Sequence, residues 1–435
     1  MYYFIGIKGS GMASLASILK DCGEDVSGSD IEKYIFTQAK LEEHKIPFFT
    51  FSEDNIKDNM TVIIGSSFND DHIEVKAAKA NPTVKTYMYA EFLAKLVEQY
   101  HSICVSGTHG KTTTTGMLAH VFSHINPTGY LIGDGTGVMP KEAQTFVLEA
   151  CEYQRRFLAY HPDYAIILNI ELDHVDYYKD LDDYILAFSQ FSKNVKKGIA
   201  VFGDEENTHK LELEVPHLYY GLQPSNDVYA TNVIEDEKGV RFTCMYKGKK
   251  YYDFHLPFYG VHLLYNALGV IAIGIMNNVE PKILQDGLAT FNGVERRFHI
   301  EEIGENVYID DYAHHPTAIK LTIDAAKQKY PTKKIVAIFQ PDRFSRISYF
   351  MAQFNEAFQS ADKIYLCPFP ENAKHEEGID IDIYDLKRAV SGAEVLLMDD
   401  SSVAKLAAEE PAVYLFMSSK DIYKFKDRMK DFQNH

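Results

Sequence analysis

Short apolar runs alternate with stretches of helical period along most of this chain, and many of the runs stop at glycine, serine or an acidic residue. Residues 2–7 predict a strand, residues 12–19 a helix, and residues 26–30 close a second strand. Residues 61–64 read as another buried strand, ending in Gly65, Ser66 and Ser67, and residues 87–98 predict a helix leading out of this first unit. A run at 103–105 predicts a buried strand with a helix from Thr113 onward, and residues 146–148 and 164–169 add two more strands. Residues 210–258 alternate apolar and polar positions around turns such as Lys247-Gly248-Lys249, which predicts antiparallel strands. Residues 260–276 are apolar at helical spacing and predict a buried helix. A strand from Val307, a helix over 317–329 with Pro316 at its first position, and strands at 335–339, 363–367 and 412–416 complete the pattern.

Strand–helix alternation of this kind predicts parallel α/β sheets. The chain has 435 residues, enough for two to four domains at ~150 residues each. The predicted organisation is α/β in three domains. Residues 1–98 form a Rossmann-like unit, 99–299 a P-loop ATPase-like α/β unit with added antiparallel strands, and 300–435 a second Rossmann-like unit. A composition of 46% hydrophobic and 24% charged residues fits an ordinary soluble globular protein. The formal charge of −18 argues against nucleic acid or an anionic membrane as the main partner, while leaving local nucleotide sites open. The five cysteines are scattered without a Cys-x-x-Cys pair, as in a reducing cytoplasm. No basic region precedes the first apolar run, and no apolar run approaches ~18 residues, so neither a signal peptide nor a membrane insertion is expected.

The chemistry concentrates at strand ends. Gly107-Thr108-His109-Gly110-Lys111-Thr112 lies between a predicted strand and the helix that opens near Thr113. Backbone N–H groups of such a turn, added to a helix N-terminus, cradle an anion. Lys111 would reach a β/γ-phosphate and the Thr112 hydroxyl a Mg²⁺ ion. The glycine of the longer phosphate-loop pattern is replaced by Val105, so this is a shortened version. Glu149 and Glu152 follow one strand; Glu171, Asp173, His174 and Asp176 follow another. Carboxylates and a histidine beside a phosphate loop suggest a Mg²⁺–nucleotide site. Near the N-terminus Gly6, Gly9 and Gly11 open a βαβ unit whose glycine order is not that of dinucleotide sites. Asp30 either accepts from a ribose hydroxyl or only ends its strand. Arg296 and Arg297 form either a solvated turn or a phosphate clamp. His314 and His315 adjoin, so they point apart; lacking a third ligand, hydrogen bonding to phosphate or backbone is the preferred reading over a metal.

Taken together these motifs resemble the Mur ligase family over essentially the whole chain. The resemblance rests on residues 6–12, residues 107–113, Glu149 with Glu152, Asn169 with Glu171, Asp173 and His174, His262 with Asn266, Arg296 to Phe298, Asp310 to Pro316, and Phe339 to Arg343. The match is best to the alanine-adding branch. It implies a cytoplasmic, ATP- and Mg²⁺-dependent ligase of peptidoglycan precursor synthesis, monomeric or dimeric, joining L-alanine to the lactyl carboxylate of UDP-N-acetylmuramate through an acyl phosphate.

The resemblance also implies roles by position. Lys111, Glu149, His174, Arg297 and Asp311 would be catalytic, with Thr112, Glu149 and His174 on metal. Gly107, Thr108, His109, Gly110, Thr113, Asn266, Arg297 and Asp311 would join Lys111 and Thr112 on ATP. Gly9, Ser10, Gly11, Met12, Asp30 and Ser66 would line the UDP-sugar site. His315, Arg343 and Arg346 would take the amino acid. Ser189 stands at the spacing where other branches carry a carbamylated lysine. Three positions depart from the family: Leu263 replaces an asparagine, Asp342 a histidine, and Ser418-Ser419-Lys420 a Gly-x-Gly. The alternatives are a related ligase using another amino acid or a recycled peptide, a weakened UDP-sugar-binding paralogue, and, disfavoured by the glycine order, a NAD-dependent dehydrogenase.

Overall fold

Three β-sheets follow one another along the chain in a computed structural model that describes residues 1–294, 297–370, 378–409 and 411–433. Arg296 lies outside the described residues. In the first sheet five parallel strands run in the order Phe48–Phe49, Val26–Ser29, Tyr2–Ile5, Thr61–Ile64, Lys85–Met88. The order reverses after the central strand, so a crevice opens between the carboxyl ends of Tyr2–Ile5 and Thr61–Ile64, the usual ligand position in such sheets. Helix Ser10–Asp21 enters from that crevice and buries residues 12–19 against the sheet. The segment predicted as one helix over 87–98 divides differently. Lys85–Met88 is an edge strand paired with Thr61–Ile64, and the helix is Tyr89–Val97. The parallel ladder outweighs local periodicity there, as tertiary pairing commonly does.

The second sheet has ten strands, in the order Lys249–Leu256, Gly239–Tyr246, Val228–Asp236, His217–Gly221, Gly198–Phe202, Tyr164–Ile167, His101–Ser106, Thr145–Glu149, Thr128–Leu131, Gly137–Val138. Its middle is parallel. The alternating segment supplies the three antiparallel strands at one edge, while His217–Gly221 pairs in parallel with its neighbour. Helices Lys111–Ser123 and Val261–Met276 bury one face of this sheet. The other face shares a continuous apolar core with the first lobe, from Leu15 and Ile18 to Phe146 and Phe157.

In the third sheet His299–Ile303 runs antiparallel at the edge of five parallel strands, ordered Asn306–Asp311, Ala412–Met417, Lys334–Phe339, Lys363–Leu366, Ala393–Val395. Apolar clusters cover both of its faces. The helix predicted over 317–329 runs Pro316–Lys329, with the proline in its first turn. Among the described residues no helix is long and apolar enough to cross a membrane.

Candidate active site

Strand His101–Ser106 delivers the chain to a turn that only a residue without a side chain can make. Gly110 has φ +85, and a Cβ there would meet the Asn266 side chain at 2.9 Å. Helix Lys111–Ser123 starts at once, so the turn and the helix N-terminus form one cradle. Asn169 braces the loop from the next strand, accepting from His109 N at 2.8 Å and donating to His109 O at 3.1 Å. Thr108 Oγ1 donates to Glu171 O at 2.8 Å and accepts from Glu171 N at 3.0 Å.

Lys111 lies along this loop with its ammonium on Thr108 O at 3.0 Å and on the Glu152 carboxylate at 2.9 Å. Burial presses the ammonium toward neutrality, but Glu152, together with Cys151 and Glu149, outweighs burial and raises the lysine's pKa. Burial likewise opposes ionisation of Glu152, and Lys111 and His174 reverse that, leaving its pKa below the usual value. Glu152 is fully buried, accepts from Tyr184 Oη at 3.2 Å, and lies 3.4 Å from His174 Nε2. Lys111, Glu152 and His174 thus share one charge cluster. Glu149 ends strand Thr145–Glu149 beside Val105, at the mouth of the phosphate loop, and accepts from Gly133 N at 2.8 Å. A Cβ on Gly133 would lie 2.8 Å from both Glu149 oxygens, so the backbone makes room for that carboxylate.

Thr112 is buried in the first helical turn and accepts from Arg297 Nη2 at 2.8 Å. Arg297 also lies 4.5 Å over the Tyr312 ring. Asp311 accepts from Phe298 N and Ala313 N at 2.7 Å each, and burial raises its pKa despite Arg297. Arg297 and Asp311 open onto a cavity of about 870 Å³ between the second and third lobes. His109, Gly110, Thr113, Asn266, Arg297 and Asp311 all line it, with Phe258 and Leu263 among its apolar walls. The asparagine-to-leucine departure therefore presents a hydrocarbon surface to the cavity. Ser189 is buried and accepts from Glu212 N at 3.4 Å.

The seam with the third lobe is charged. Glu171 accepts from Thr317 Oγ1 at 2.8 and 2.9 Å and pairs with His109 Nε2 at 3.0 Å; burial notwithstanding, these partners hold its pKa at about 2. The two adjacent histidines do point apart. His314 Nδ1 donates to Tyr312 O at 2.8 Å, while His315 faces Glu171 at 3.9 Å and His109 at 4.8 Å between ring centroids. A third potential ligand is therefore present: His109, Glu171 and His315 place donor atoms within 4.8 Å of one another. Thr317 and His109 already occupy the carboxylate. Arg343 pairs with Asp176 at 2.9 Å and stays partly exposed. Arg346 is buried against Asp173 and Asp342. Asp342 in turn accepts from Ser419 Oγ at 2.6 Å, so two of the sequence departures touch each other.

In the first lobe Gly9 precedes helix Ser10–Asp21, with Gly11 and Met12 in its first turn. Ser66 follows the strand across the crevice. Asp30 accepts from Lys8 N at 2.7 Å and from Ile31 N at 2.8 Å, so both of its oxygens hold the loop.

Glu152, Asn169, Glu171 and Asp173 stood in the sequence motifs without individual roles. Their signal was a position at or just past the end of a buried strand beside a phosphate loop. Nothing local shows that Glu152 is the partner of Lys111.

A phosphate cradle between parallel strands, backed by buried carboxylates and roofed by a third α/β lobe, defines a nucleotide-dependent ligase. The chain belongs to the Mur ligase family: residues 1–101 match the Mur ligase family catalytic domain, 105–274 the Mur ligase middle domain, and 296–419 the Mur ligase glutamate ligase domain. It is 47% identical over 432 residues to the UDP-N-acetylmuramate–L-alanine ligase of Lactiplantibacillus plantarum, covering 99% of this chain and 98% of that protein. Among solved structures it resembles the UDP-N-acetylmuramate–alanine ligase of Thermotoga maritima, at 26% identity and TM-score 0.81 over 100% of this chain and 99% of that one. A murein peptide ligase of Psychrobacter arcticus shares the fold at 23% identity and TM-score 0.71, over 99% of this chain and 98% of that one.

Proposed function

We propose that this chain joins L-alanine to the lactyl carboxylate of UDP-N-acetylmuramate at the expense of ATP. The observation that carries the reading is the Lys111–Glu152–His174 cluster behind a phosphate loop whose His109 and Gly110 line a cavity between two lobes. The full-length relative from Lactiplantibacillus plantarum supports alanine over a recycled peptide. On this reading the lobes divide near residues 98/99 and just ahead of strand His299–Ile303, one residue before the expected 299/300 because His299 already pairs with Asp310 in the third sheet. The supply of ATP and UDP-sugar supports a cytoplasmic reaction.

A carboxylate and a triphosphate repel each other, so the site must neutralise both and hold them in line. Lys111 leaves Glu152 for the γ-phosphoryl group. A lactyl carboxylate oxygen attacks phosphorus, and the bond to the β-phosphate oxygen breaks, giving an acyl phosphate and ADP. The neutral amine of alanine then attacks the acyl carbon. A tetrahedral intermediate expels phosphate, and the amine proton is lost. Asn266, Arg297 and Asp311 hold the nucleoside end across the cavity. The glycine turn and Ser66 face the UDP-sugar across the crevice of the first sheet. Arg343, partly exposed, receives the amino acid's carboxylate in exchange for Asp176. His315 lines the same seam.

Thr112, Glu149 and His174 would hold Mg²⁺. Their fit rests on the two hard oxygen donors of Thr112 and Glu149, the room made for Glu149 at Gly133, and a His174 Nδ1 that is buried without a partner. Mg²⁺ there would neutralise charge on the transferring phosphoryl group.

The test is phosphate release from ATP with UDP-N-acetylmuramate and, in turn, L-alanine, glycine, L-serine and a murein tripeptide. Turnover with L-alanine foremost is expected. Turnover with tripeptide alone would move the chain to peptide recycling, and none with any acceptor would reject the ligase reading.

A further inference from the structure

His174 sits in a backbone conformation its side chain does not favour, with φ +52. The loop that carries it is gripped on both sides by the third lobe. Arg346 forks Asp173, from Nε at 3.2 Å and from Nη2 at 3.1 and 3.2 Å. Arg343 Nη1 donates to Asp176 at 2.9 Å. Both arginines belong to the start of helix Phe344–Ala357. Asp173 accepts in addition from His174 N at 2.7 Å, which fixes the turn on which the imidazole stands. From the ring the path continues to Glu152 at 3.4 Å and from Glu152 to Lys111 at 2.9 Å. A contiguous line of charged groups therefore joins the third lobe to the phosphate loop.

Arg346 has no nitrogen to spare. Its remaining one, Nη1, donates to Asp342 at 3.0 Å, and the side chain is 4% exposed. Taking a substrate carboxylate would uncover a buried Asp173, which is costly. We propose that Asp173 and Arg346 are positioning residues that set His174, and through it Glu152 and Lys111, only when the third lobe is docked. The inference rests on the ligase reading of this site. Without Arg346 the buried Asp173 charge loses its guanidinium, and the Arg343–Asp176 pair is left as the remaining grip on the strained turn. The phosphoryl-transfer groups then assemble only in a closed cleft, where an acyl phosphate is shielded from water.

The test uses the full chain carrying Asp173→Asn or, should that variant fail to fold, Arg346→Lys, which keeps the charge and loses the fork. Two readouts are taken: amide hydrogen exchange of residues 173–178 without ligands, and kcat against KM for ATP. Both variants are expected to exchange faster in that loop and to lose about 10–100-fold in kcat, the range found when the partners that orient a site's ligands are removed. KM for ATP should change far less, and the double variant should be no worse than either single one. Asp342→Asn, which leaves the Asp173 fork intact, should keep the loop's exchange at the wild-type rate. Wild-type exchange and kcat in Asp173→Asn and Arg346→Lys would overturn the proposal, as would equal loop exposure in Asp342→Asn. A wild-type chain without turnover would instead sink the ligase reading, while the exchange data would still judge the positioning.

Discussion

Glu152→Gln isolates the partner that holds Lys111 before nucleotide arrives. The substitution keeps the shape and removes the charge that lies 2.9 Å from the ammonium. Breaking a buried ion pair from one side costs about 3–5 kcal/mol, because the surviving charge remains desolvated. Lys111 keeps the carbonyls of Gly107 and Thr108, which puts the expected loss at the low end, about 3 kcal/mol. For a cooperative unit of about 200 residues, that lowers Tm by roughly 6–12 °C. ATP changes the sign of the argument. Its phosphates return a counter-charge to Lys111, and in the variant they no longer compete with Glu152 for it. Scanning calorimetry with and without ATP should therefore show a lower ligand-free Tm and a larger ATP-induced rise than in wild type. An unchanged ligand-free Tm, or an ATP shift equal to that of wild type, would refute the idea that Glu152 parks the lysine.

Lys111→Ala should lower kcat by about 10²–10³, the loss typical of removing one group that stabilises transition-state charge, measured by coupled ADP release. Gly133→Ala places a methyl against the Glu149 carboxylate, 2.8 Å from its oxygens, and should raise the Mg²⁺ needed for half-maximal turnover by about tenfold with little change in fold by circular dichroism. Burial lowers the pKa of His262 to about 4, and of His315 to about 3, from an ordinary 6.5. A folded pKa below the unfolded one means the unfolded chain binds the proton first. Each imidazole thus costs about 1.4 kcal/mol of stability per pH unit as pH falls below 6.5 toward its folded value. Urea unfolding at pH 7, 6 and 5 should show this slope, and His262→Gln should remove its own share of it while leaving that of His315.

The alternation of apolar runs with helical segments carried most of the architecture, because parallel strands buried on both faces are nearly continuous hydrophobic stretches. The phosphate loop was equally plain, since its glycines and lysine are contiguous. Lys85–Met88 escaped because an edge strand of mixed polarity is defined by its neighbour rather than by its own period. The charge network was hidden for a different reason. Arg346 and Asp173 stand 173 positions apart, and only the docking of two lobes brings them together. The same distance effect turned Asp342 from an isolated departure into one half of a contact with Ser419. Motif spacing showed that Glu152 is present; its complete burial beside Lys111 needed the packing of Tyr184 and His174 around it.

The central claim is that a carboxylate oxygen passes through phosphorus before the amide forms. UDP-N-acetylmuramate labelled with ¹⁸O in its lactyl carboxylate, turned over with ATP and L-alanine, tests it by mass analysis of the released phosphate. The account predicts one ¹⁸O atom in each inorganic phosphate and none in a nucleotide. Unlabelled phosphate, or label appearing in AMP, would contradict it.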